Sequence, residues 1–143
     1  PVGRMGDKVV LGTDGLDGDI LAELGAACFR GREHEPPVDL GAYVGWLQQS
    51  NAMLAERFGA RFGELTPGAV ADLVVLDYDP PTPLTADNLV GHVGFGWGAH
   101  LVRDVFVAGE PVLQDRRHTR LDANDAFART RAGAENLWKK LLP

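Results

Sequence analysis

The spacing of apolar residues changes near Gly63, and that change limits what the chain can fold into. Before it, Ile20, Leu21, Leu24, Ala27 and Cys28 keep helical intervals, with Asp19 as a good N-cap and Gly31 placed to stop the helix. Pro36 and Pro37 break the chain. A second amphipathic stripe follows at Leu40, Val44, Leu47, Leu54 and Phe58, interrupted by Asn51. Beyond Gly63 the signal is extended: Leu73-Val74-Val75-Leu76 between Asp72 and Asp77 reads as a strand, and Pro80, Pro81 and Pro83 force a polar, extended exit. Leu101 to Val107 and Pro111 to Gln114 read as two strands joined around Gly109. Asp122 then caps a last helix with Phe127, Thr130, Ala134, Leu137, Trp138 and Leu141 on one face. The expected divisions are residues 1–62, 63–121 and 122–143, without internal repeats.

Composition fits this mixed α/β reading. With 143 residues, 45% of them apolar, the chain can hide roughly two-thirds of its unfolded surface. Its 14 Lys and Arg against 20 Asp and Glu leave a net charge of -6, which argues against nucleic acid and anionic membrane as partners. Cys28 is the single cysteine, so no internal disulfide forms and a reducing, cytoplasmic setting is expected. No run reaches the roughly 18 apolar residues of a membrane span, and no signal-peptide pattern opens the sequence. The start at Pro1, with the first methionine at Met5, makes a fragment the expected reading.

Val9-Val10-Leu11, ending in Gly12-Thr13-Asp14-Gly15, has the pattern of a strand buried on both faces feeding a tight turn. Asp14 is the strongest candidate for chemistry, because α/β barrels and open α/β sheets place working groups at the C-terminal ends of parallel strands. Position alone leaves a second reading open, in which Asp14 caps its own turn before Gly15. Asp14, Asp17 and Asp19 do not make an EF-hand, which needs a Glu where Gly25 stands. His34, His92, His100 and His118 lack the spacing of a self-contained zinc site, and hydrogen bonding is the default role for His92 and His100. Gly91, Gly94, Gly96 and Gly98, interleaved with Phe95 and Trp97, lack the order of a phosphate loop and read as close backbone packing beneath two aromatics. Arg116, Arg117, His118 and Arg120 are balanced by Asp115 and Asp122 and read as a solvated loop. Trp46 and Trp138 read as packing residues, with an interface as the other possibility.

Val10 to Gly15, together with Pro67-Gly68-Ala69-Val70-Ala71-Asp72-Leu73-Val74-Val75-Leu76-Asp77, resembles the end of metal-dependent amidohydrolases of the cytosine deaminase and chlorohydrolase-like branch. Asp77 to Thr85, followed by Asn88-Leu89 and His92, resembles aminohydrolases of the SsnA type, and Val105 to Gln114 resembles their closing hairpin. The resemblance implies a fragment: the last βα unit of a (β/α)8 TIM-like barrel plus the C-terminal part of a composite β-sandwich, with unpaired sheet edges. It also implies that Asp14 binds a catalytic Zn2+ or Fe2+ and shuttles a proton in hydrolytic deamination of a ring amine or a related displacement. A small-molecule substrate and a homo-oligomer are expected in the intact enzyme.

The chain departs from the family in lacking the His-x-His pair and two further histidine ligands of upstream strands. One carboxylate cannot hold a catalytic metal, so no metal is expected on this chain alone. The rival expectation is a non-catalytic binding or assembly module that keeps an amidohydrolase tail without its metal site.

Overall fold

The computed structural model describes residues 9–15, 17–33 and 39–142. In chain order it contains α1 (Ile20–Gly31), α2 (Leu40–Phe58), β1 (Leu73–Leu76), α3 (Leu89–Gly96), a 3-10 turn (Ala99–Leu101), β2 (Val102–Val107), β3 (Glu110–Gln114), β4 (Arg117–His118) and α4 (Ala123–Leu141).

The first two helices start and stop where local chemistry dictates. Asp19 Oδ1 accepts from the Leu21 and Ala22 amides at the head of α1, both at 3.0 Å. Asp39 Oδ1 accepts from Gly41 at the head of α2, and Gly59 ends α2 in the left-handed region at φ 66°. Both helices turn apolar stripes inward, where Leu24, Cys28, Tyr43 and Trp46 are buried with Val9 and Val93. Leu24 is completely buried. The Tyr43 and Trp46 rings meet edge-on at 4.7 Å between centroids.

The glycine-rich stretch from Gly91 forms a helix that the sequence reading did not expect. Two glycines explain it: a Cβ on Gly25 of α1 would stand 3.4 Å from the Gly94 carbonyl, and one on Gly94 would stand 3.4 Å from Cys28 Sγ. The backbones of α1 and α3 thus approach closely, as the packing reading proposed, with helical geometry satisfying the amides. Val93, buried in the core cluster, holds the helix against α1 and α2 despite its poor intrinsic propensity.

The sheet is antiparallel, in the order β1-β2-β3-β4. Val74 pairs with Val105, and Val107 with Glu110 across a two-residue turn. Ala108 and Gly109 both have positive φ, 51° and 82°, the type I′ geometry that matches strand twist. The Asp72 carboxylate accepts from the Ala108 amide at 2.7 Å, and the Ala71 carbonyl accepts from Gly109 at 2.9 Å. Asp104 is buried in β2, where hydrogen bonds from the Asp115 amide and Arg103 Nε, each 2.9 Å long, hold its carboxyl below the usual range.

Three expectations need correction. Residues 9–13 are irregular rather than a strand, since no parallel neighbour lies among the described residues and a strand exists only by pairing. Trp138 is exposed rather than packed, because α4 buries none of its side chains. The basic cluster contains the short strand β4, reached through Asp115 and Arg116 at positive φ, although its side chains are solvated as expected. Among the described residues no helix is long and apolar enough to cross a membrane.

Candidate functional site

The segment from Val9 to Asp19 leads from the core to the head of α1. Val9 is buried; the backbone then runs outward and turns at Asp14, whose φ of 51° is tolerated by aspartate better than by most residues. Asp14 is exposed, and among the described residues nothing hydrogen-bonds its carboxylate. Asp17 Oδ1 instead accepts from the Asp19 amide at 2.8 Å.

Asp19 anchors this segment to the rest of the fold. While Oδ1 caps α1, Oδ2 accepts from the Ala99 amide at 2.9 Å, tying residue 19 to the 3-10 turn before β2. Burial works to raise its pKa. The hydrogen bonds from Ala99, Ala22 and Leu21 and the charge of His100 outweigh burial and hold the carboxyl below the ordinary range. His100 sits beside Gly98, where a Cβ would stand 2.9 Å from its Nδ1.

His92 occupies a separate cavity of about 320 Å³ lined by Tyr78, Thr82, Asn88 and Phe95, among others. Its Nδ1 lies 2.5 Å from the Tyr78 hydroxyl and its Nε2 lies 3.2 Å from Thr82 Oγ1. Both ring nitrogens are engaged, which matches the structural hydrogen-bonding role. Asn88 holds the proline-rich wall in place: its Oδ1 accepts from the Thr85 amide and its Nδ2 donates to the Pro83 carbonyl. Sequence reading missed this cluster, although Tyr78, Asn88 and His92 all fall within the quoted motif. Burial pushes the Cys28 thiol up, only partly opposed by Arg32, so it is a core residue and a poor nucleophile.

Among the described residues the structure does not gather Asp14 with His92, His100 and His118. Among the described residues no three His, Cys, Asp or Glu side chains come together as a metal site, and His34 lies outside those residues. Read alone, these donors do not fit a catalytic metal centre, which needs about three protein ligands.

What the geometry does define is an exposed carboxylate at the end of a buried-to-surface segment, followed by a capped helix and an antiparallel sheet. No protein-family model matches the chain. It is similar to a 5-methylthioadenosine/S-adenosylhomocysteine deaminase of Natronomonas pharaonis, with 31% identity over 82% of this chain and 28% of that protein. A protein of the same name from Syntrophomonas wolfei is 27% identical over 96% of this chain and 34% of its own length. A crystal structure of an adenosine deaminase from Xanthomonas campestris with bound zinc shares the fold, with a TM-score of 0.64 and 22% identity over 84% of this chain and 28% of that one. Over most of its length the chain is thus similar to proteins that carry a deaminase name. Its relatives are, in particular, deaminases, and it spans about a third of their length or less.

Proposed function

We propose that these 143 residues are the C-terminal part of a metal-dependent hydrolytic deaminase, in which water replaces an amine on a ring carbon and ammonia leaves. The observation that carries this reading is the match to curated deaminases over 82% and 96% of this chain but only 28% and 34% of theirs. Their names support an adenosine-type purine amine as the substrate class. Asp14 is proposed as a metal-ligating and proton-transferring carboxylate of the intact enzyme, one donor in a set whose other members lie outside this chain. Its exposure supports that role, since a carboxylate that must meet a metal and a substrate has to be accessible to both. Residues up to 62 are proposed to carry the last βα unit of the barrel, and 63–121 the sandwich portion.

The mass of the native gene product tests this reading. A polypeptide near three times 15.4 kDa is expected; one near 15.4 kDa would turn attention to the binding-module alternative.

A further inference from the structure

Helix α4 buries none of its side chains, yet its sequence is patterned for a partner. Phe127, Leu137, Trp138 and Leu141 lie on one face with 54–61% of their surface exposed. Ala123, Phe127, Thr130, Ala134, Leu137 and Leu141 recur at alternating intervals of four and three, the spacing of a coiled-coil seam. Thr130 fits such a seam because its hydroxyl donates to the Ala126 carbonyl of the same helix at 2.9 Å, leaving the methyl outward.

We infer that α4 pairs with α4 of a second copy of this chain, antiparallel about a two-fold axis at Ala132. Residues equidistant from Ala132 face each other in that arrangement, and the pattern complements itself. Ala123 meets Leu141, Phe127 meets Leu137 and Thr130 meets Ala134, so each layer sets a large residue or a branched one against a smaller partner or one of matching shape. Charge follows the same symmetry. On one flank of the seam Asp122 comes beside Lys140 of the second copy within about one turn of level, while at the centre of the other flank Arg131 comes beside both Arg131 and Glu135 of the second copy. The antiparallel helix dipoles add in the same sense, with Asp122 and Asp125 at one end and Lys139 and Lys140 at the other. A parallel pair would set Asp122 against Asp122 and Lys140 against Lys140. This inference is independent of the chemistry proposed above.

Sedimentation equilibrium of the native polypeptide tests it. Twice the chain mass is expected, with Leu137→Asp returning the protein to single-chain mass; Leu137 lies outside the core cluster, and circular dichroism of the variant checks that the fold persists. Register is tested by oxidising the double variant A123C/L141C, in which only a second copy brings the two sulfurs together, since they lie about 27 Å apart along one helix. It should form a covalent dimer, whereas A128C/N136C, equally spaced about Ala132 but on the opposite face, should not. A monomer up to about 100 µM, a dimer indifferent to Leu137→Asp, or equal cross-linking of the two cysteine pairs would overturn the inference. A monomer whose α4 amides are protected from hydrogen exchange would overturn it too, by placing the seam against another part of the same polypeptide.

Discussion

Replacing Asp19 tests how the segment bearing Asp14 is held. Asp19→Ala removes two things at once: the N-cap of α1, worth about 1 kcal/mol, and the charged acceptor for the Ala99 amide, worth roughly 1.5 to 3 kcal/mol when well shielded. The side chain is only partly shielded, so the second contribution falls toward about 1 kcal/mol and the total loss is about 2 kcal/mol. At roughly 4 °C per kcal/mol for a chain of this size, the midpoint of thermal unfolding should drop by about 8 °C. Asp19→Asn keeps a capping oxygen but not the charge, and should lose about half as much. The acid dependence has a definite sign. A carboxyl whose folded pKa is depressed contributes stability above its unfolded value of about 3.9, and that contribution fades as pH falls through the folded pKa. The stability difference between the parent and Asp19→Asn, measured by urea unfolding with far-UV circular dichroism, should therefore be full at pH 6 and shrink toward pH 3. An Asp19→Ala variant within about 0.5 kcal/mol of the parent, or a difference that widens in acid, would contradict the anchoring role of Asp19.

Leu24→Ala, which empties a completely buried position among Cys28, Tyr43, Trp46 and Val93, should cost about 3 kcal/mol in the same urea assay. A loss under about 1 kcal/mol would mean that the three helices do not share one core. Ala108→Gly relieves a left-handed backbone at φ 51° in the β2–β3 turn and should raise stability by about 0.5 kcal/mol, after the entropy cost of glycine is set against the relief; a loss would contradict the turn geometry.

The helices and strands whose own residues fix them were legible in the sequence. Asp19 caps α1 by accepting from amides two and three residues ahead and Asp39 caps α2 by accepting from one two residues ahead, so both helices carry their starts locally, and the Ala108-Gly109 turn carries the register of its hairpin. What was not legible depends on partners distant in sequence. α3 is a poor helix by composition and forms because Gly25 and Gly94 let two backbones meet. Val9 to Leu11 has the composition of a strand, but composition cannot supply the neighbour that a ladder requires. For the candidate site, Asp14 could be picked out by its place after an apolar run. The bond from Ala99 that anchors its segment spans 80 residues, and no local pattern announces it.

Ammonia release from 5′-methylthioadenosine and adenosine by the native polypeptide, with and without Asp14→Asn, tests the proposed role of Asp14 as a working carboxylate of a hydrolytic deaminase. Because Asp14 is exposed and outside the core, the substitution should leave unfolding unchanged while turnover falls by at least about 10³-fold. A variant that folds normally and keeps activity within about tenfold of the parent would contradict it.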